Sequence, residues 1–226
     1  MSESLCLAEL SSTLDWQSAG CAARVRAWNE SVLELSAGAT HYVFANTGTS
    51  RLERAGTTFP LLATMFGAVP GACNIDGRES KGSGLVISHF GFAGMFQLGG
   101  PIEENGRLRY IDGCTDSLLL SPPVLGDPCL NHLHIPAGTT QTTHLHPSVR
   151  IGMVVRGEGI CITPERELSL HAGLAFMIPA DLLHSFCTRT SSLDVVVYHP
   201  DSDTGPTHED HPMLNRTWIG ERKPGQ

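Results

Sequence analysis

Gly138-Thr139-Thr140-Gln141-Thr142-Thr143-His144-Leu145-His146-Pro147-Ser148-Val149-Arg150, then Gly157, Gly173, and Pro179-Ala180-Asp181-Leu182-Leu183-His184 decide how this 226-residue chain reads. In an extended strand, residues i and i+2 share a face, so His144 and His146 are expected to point the same way. His184 follows a turn at Ala180-Asp181 and is expected on a later antiparallel strand beside them. Neutral imidazole nitrogens suit divalent first-row metals. A His-x-His pair alone also fits ordinary surface or core histidines. The glycines, the proline and His184 around it are what single this pair out.

Working outward, residues 85–200 alternate strand-length apolar runs with turn signals. The runs are 85–90, 93–98, 108–111, 117–120, 130–135, 143–146, 151–156, 159–163, 175–179, 183–188 and 193–198. Glu104-Asn105-Gly106-Arg107 reads as a hairpin turn, because Asn-Gly tolerates positive φ. Arg156-Gly157-Glu158-Gly159 and Glu165-Arg166-Glu167 read as two further turns. Many short strands at this spacing predict an all-β sandwich or closed barrel.

Toward the N-terminus, Leu5, Leu7, Leu10, Trp16, Ala22, Val25, Trp28 and Val32 recur at roughly helical spacing, so a helix over 5–35, broken near Gly20, is expected. Residues 36–84 carry many glycines and predict turns with short strands at 41–45 and 58–66. No internal repeat is evident. The expected organisation is an extension over 1–90, a barrel over 91–205 and a tail over 206–226, with 221–226 disordered.

Composition limits the function. Asp and Glu (23) outnumber Lys and Arg (15), for a net charge of −8, which disfavours nucleic acid because phosphate binding needs a basic face. Seven cysteines without a C-x-x-C read as reduced thiols. No signal-peptide pattern and no long apolar run is present. A cytoplasmic protein without membrane partners is expected, and Asn215-Arg216-Thr217 reads as a chance sequon.

At the opening stretch the chain resembles the cupin superfamily. The first motif of that family, G-x5-H-x-H-x3–4-E-x6-G, is matched by Gly138, His144, His146, Arg150 and Gly157. The second, G-x5-P-x-G-x2-H-x3-N, is matched by Gly173, Pro179, Asp181, His184 and Thr188. The resemblance spans about 95–200. It implies a single double-stranded β-helix (jelly-roll) barrel holding one metal through His144, His146 and His184. Three positions depart from it. Arg150 replaces a glutamate ligand, Asp181 a glycine and Thr188 an asparagine. Some cupins, thiol and diketone dioxygenases among them, use three histidines without the acid, so the resemblance implies Fe(II) in preference to Zn, Mn, Ni or Cu. Cupins are often dimers, and a homodimer is expected.

Arginine cannot ligate a cation, since it offers no lone pair and keeps its charge. Three neutral ligands leave a divalent ion its full charge, and an inward Arg150 adds one more. Such a site attracts an anionic small molecule, a carboxylate, amino acid or enolate, which a guanidinium grips in two-pronged fashion. Alternatively Arg150 pairs with Asp194, Asp181 or another acid, or points outward. The expected activity is that of an oxygenase. A redox-neutral isomerase, lyase or rearrangement enzyme, and a non-enzymatic ligand-binding cupin, are the alternatives.

Further candidates are His134 and His132, on one strand face and suited to touch substrate or brace the ligands, though a hydrogen-bonded structural role is the favoured reading because three ligands are already supplied. Tyr198, Tyr110 and Arg109 are expected at the barrel mouth, with Tyr198 contacting substrate or dioxygen, although a strand tyrosine commonly only packs. Cys161 and Cys187 read as buried thiols. The segment from His199 to His211 is rich in ligand-type residues but reads as a solvated loop or lid.

Overall fold

A computed structural model describes residues 5–18, 20–214, 217 and 220. Asn215 and the tail 221–226 lie outside the described residues. Seventeen strands follow in chain order: β1 (Cys6–Glu9), β2 (Asp15–Gln17), β3 (Ala23–Asn29), β4 (Val32–Leu35), β5 (Ala39–Arg54), β6 (Thr57–Leu62), β7 (Phe66–Pro70), β8 (Cys73–Phe90) and β9 (Gln97–Gly99). After them come β10 (Leu108–Arg109), β11 (Thr115–Leu120), β12 (Cys129–Ile135), β13 (Arg150–Ile162), β14 (Glu167–His171), β15 (Leu174–Ile178), β16 (Ser185–Cys187) and β17 (Leu193–His199). A single 3-10 turn, Ile111–Gly113, is the one helical element among the described residues.

The helix expected over 5–35 is therefore replaced by β1 to β4. Ala23, Val25 and Ala27 are buried in β3 while Arg24 and Arg26 between them are less so. That alternation of period two outweighs the looser helical spacing of the larger apolar residues. The turn-dominated reading of 36–84 is corrected as well. β5 and β8 run 16 and 18 residues and pair with each other along most of their length. Several of the glycines there serve close contact instead of turns. A Cβ on Gly84 would lie 2.1 Å from the Trp28 ring and one on Gly77 2.3 Å from the Gly82 carbonyl oxygen.

The strands form two antiparallel sheets. Residues 15–99 build an eight-stranded sheet around β5 and β8, and β10 to β17 build a nine-stranded one together with β1, which pairs with β15. Asn105-Gly106 is a bend on the way from the first sheet to the second, since β9 pairs with β7 and β10 with β11. The apolar core lies between the sheets, where Phe44, Leu85, Ile151 and Val196 meet, and inside the second sheet, around Val154, Phe176, Leu193 and Val195.

β13 organises the second sheet. Its first part pairs with β15 and β17, and residues 158–162 pair with β14 and β16. The turn expected at 156–159 is instead a register shift within this continuous strand, at Val154/Arg156. Gly157 sits there with φ +77°, and a Cβ on it would fall 1.8 Å from the Ser192 carbonyl oxygen. Thus the last glycine of the first motif lets one strand pass from one layer of the roll to the other.

The second motif folds for equally local reasons. Gly173 (φ +89°) and Asp181 (φ +58°) both hold left-handed turns. Aspartate tolerates that region better than most residues, which accounts for its standing where the family has glycine. Asp181→Gly is expected to leave the thermal midpoint unchanged or slightly raised, and Asp181→Val to lower it by several degrees, from a strain of about 1–2 kcal/mol. Equal midpoints for the two variants would remove backbone conformation as the reason. Thr188 donates from its hydroxyl to the Pro136 carbonyl and accepts from the Thr139 amide at 3.0 Å, tying the end of β16 to the loop before the motif.

Candidate metal centre

Residues 143–146 do not form the expected regular strand. His144 instead makes an isolated bridge to His184, with His144 N–H donating to the His184 carbonyl at 2.9 Å and the reverse bond at 2.8 Å. The Asp181 amide donates to the His146 carbonyl at 2.8 Å. These backbone bonds bring the three imidazoles together. Ring centroids are 5.1 Å (His144–His146), 4.6 Å (His144–His184) and 5.3 Å (His146–His184) apart. One nitrogen from each ring lies within 4.8 Å of the others.

The tautomers follow from the partners. His144 Nδ1 is 2.8 Å from the Thr142 carbonyl and His184 Nδ1 2.8 Å from the Leu182 carbonyl. A carbonyl only accepts, so each Nδ1 carries a proton, and Nε2 is the nitrogen left to face a ligand. The Thr142 carbonyl is itself braced: Asp112, in a left-handed conformation at φ +53°, accepts from the Thr142 amide at 2.6 Å and from its hydroxyl at 3.2 Å. Burial, the Arg150 charge and the other two histidines pull the pKa of His146 down to about 3. Burial also lowers that of His184. Neutral imidazoles are what a divalent cation requires, so the residues fit a metal ion that His144, His146 and His184 would hold.

The three histidines open onto a cavity of about 230 Å³. Its walls are apolar, from Leu133, Phe176, Ile178, Phe186 and Val197, and its polar groups include Arg150, Asp116, Asn131 and His199. Arg150 points inward. Its Nη1 meets the Ser148 carbonyl (3.1 Å), the Ser148 hydroxyl (2.6 Å) and the Val149 carbonyl (3.2 Å). Its Nε is buried without an acceptor. The Ser148 hydroxyl passes on to Asp201 at 2.5 Å, and the Asp201 and Asp203 charges favour the cation from behind. Arg150 pairs with neither Asp194 nor Asp181.

Tyr198 and His134 lie elsewhere. In β17, Val197 and His199 face the cavity, so Tyr198 between them faces the other sheet. It is fully buried, 2.5 Å from His89 Nδ1, with its ring 4.9 Å from that of Tyr42. His134 Nδ1 and His132 Nε2 both hydrogen-bond Asp194, at 3.1 and 2.7 Å, and Arg156 joins them at 3.2 Å. Arg109 and Tyr110 do line the cavity, at its exposed end. Cys161 is buried and Cys187 partly so, and neither is disulfide-bonded.

In sequence His199 reads as the start of a polar loop, but β17 carries it to the cavity wall. Burial and the Arg150 charge pull its pKa down to about 3. The strand alternation from Val195 through Val197 was the signal that could have placed it inward.

Residues 131–200 match the family model described as a cupin domain. Among solved structures, the chain is similar to a putative glyoxylate-induced protein from Pseudomonas aeruginosa, with TM-score 0.64, 11% identity and coverage of 91% of this chain and 92% of that one. It is also similar to a cupin 2 conserved barrel domain protein from Leptotrichia buccalis, with TM-score 0.62, 12% identity and coverage of 88% and 90%. A salicylate 1,2-dioxygenase from Pseudaminobacter salicylatoxidans follows, with TM-score 0.61, 12% identity and coverage of 79% and 70%. No curated protein matches the sequence.

Proposed function

We propose that this chain, a cupin protein by its fold, is a mononuclear metal enzyme, an Fe(II)-dependent oxygenase acting on a small anionic substrate. The observation that carries the reading is a three-histidine group facing a small apolar cavity into which one buried guanidinium points. The likeness to a salicylate 1,2-dioxygenase supports the choice of oxygen chemistry. When bound, the metal would supply Lewis acidity and redox capacity beside the cavity.

The protein's own residues do the rest. His144, His146 and His184 hold the metal and leave positions open to substrate. Arg150 holds a substrate carboxylate with the guanidinium edge that its Nη1 contacts leave unused. The apolar walls exclude water and strengthen that attraction. His199, neutral beside Arg150, offers the substrate a hydrogen-bond partner of either sense.

The test is metal content and oxygen uptake. After reconstitution with Fe(II), about one iron per chain and carboxylate-dependent oxygen consumption are expected. Iron far below one per chain defeats the reading, and turnover that continues without oxygen defeats the oxygenase assignment. Arg150→Met is expected to raise KM at least tenfold, with a smaller change in kcat, because it removes binding made in ground and transition states alike. Unchanged KM and turnover would take the anchoring role away from Arg150.

A further inference from the structure

The cavity holds two opposite charges that do not neutralise each other. Arg150 is 8% exposed, and among the described residues no carboxylate lies within hydrogen-bonding distance of it. Asp116 of β11 lines the same cavity. Its Oδ1 accepts from Asn131 Nδ2 at 2.9 Å, and its Oδ2 has no protein donor among the described residues. Asp116 stands opposite Leu133 and Asn131 lies two residues before it on β12, so both belong to the wall facing the histidines.

An unpaired, partly buried carboxylate is a cost that folding alone does not explain. Burial pushes the Asp116 carboxyl up, and the Asn131 amide only partly offsets it. Asn131 orients the group without supplying charge. Arg109, also on the cavity wall, lies at the exposed end and forms no ion pair with Asp116 among the described residues. Asp116 and Arg150 line one cavity with Tyr110 and apolar side chains, and the two charged groups form no ion pair with each other among the described residues.

We infer that Asp116, held by Asn131, receives a protonated amine, so that the substrate is an amino-carboxylate with its ammonium and carboxylate at opposite ends of a short apolar chain. Arg150 takes the carboxylate, which rests on the function proposed above. Asp116 takes the ammonium, and one ligand adds a counter-charge at each pole.

Calorimetric binding to the anaerobic, Fe(II)-loaded protein tests this with ω-amino acids of three to five carbons, the plain carboxylates and the ω-hydroxy acids of equal length. At one chain length or more the amino acid is expected to bind at least tenfold tighter than both counterparts. Asp116→Asn, which keeps shape and removes charge, is expected to bring that ratio near one without weakening the plain carboxylate. Arg150→Met is expected to weaken all three. The inference is overturned if the plain or hydroxy acids bind as tightly at every length, or if the preference survives Asp116→Asn with an unchanged thermal midpoint. Iron loading and carboxylate binding without an amine preference would defeat this inference and leave the proposed function standing. Absence of both iron and carboxylate binding would defeat the two together.

Discussion

Replacing His184 by alanine is expected to abolish metal binding, with iron falling from about one per chain to near zero. Two imidazoles do not make up for the third, because each lost ligand nitrogen is replaced only by water, which competes equally for the free ion. The effect has a second readout. A metal held at a hundred times its dissociation constant stabilises the folded state by about 2.7 kcal/mol, or some 5–10 °C in a domain of this size. A chelator should therefore lower the midpoint of the parent protein and leave that of His184→Ala where it was. Equal chelator sensitivity would mean that the stabilising ion sits elsewhere. Asp112→Ala, acting only through Thr142 on the orientation of His144, should weaken metal binding by about tenfold to a hundredfold.

Gly157→Ala is expected to be the most damaging single methyl group in the chain. The left-handed backbone alone costs about 1–2 kcal/mol for a residue with a Cβ. The contact of 1.8 Å with the Ser192 carbonyl oxygen adds a displacement of the backbone in the loop before β17. A combined loss above about 3 kcal/mol is a large part of the 5–15 kcal/mol that holds a typical domain together, and a fall of roughly 10 °C or failure to accumulate in soluble form should follow. Gly138→Ala is the control. Its φ is +75°, but the nearest atom to a new Cβ is the Arg189 carbonyl oxygen at 4.0 Å, so strain acts without a clash and only a few degrees should be lost. Similar losses for the two variants would show that close approach is not what Gly157 provides.

The clustering of His144, His146 and His184 was legible because spacing encodes it. Gly138, Gly173 and Asp181 set left-handed turns at fixed distances from the histidines, and such turns leave a trace in composition. The inward direction of Arg150 was legible by register, as it fills a ligand's place in the motif. The N-terminal sheet was not legible, because its glycines mark close packing of long strands against Trp28 and neighbouring carbonyls, whereas glycine in sequence reads first as a turn. The helix over 5–35 failed for a related reason. Strands as short as β1, β2 and β4 hold too few residues for alternation to outweigh a chance helical spacing. Tyr198 was misplaced by one residue of alternation, which in a strand reverses the face. Asp116 and Asn131 carry no motif at all, and only the pairing of β11 with β12 brings them together.

The course of the first strand bears on how the chain can be dissected. β1 leaves the eight-stranded sheet that follows it and completes the far edge of the nine-stranded one, register-matched from Cys6 opposite Met177 to Glu9 opposite Leu174. The two halves are therefore laced together and are not beads on a string. A fragment begun at residue 91 would present β15 as a bare edge ready to recruit a foreign strand, and a synthetic peptide bearing residues 5–10 would be its natural complement.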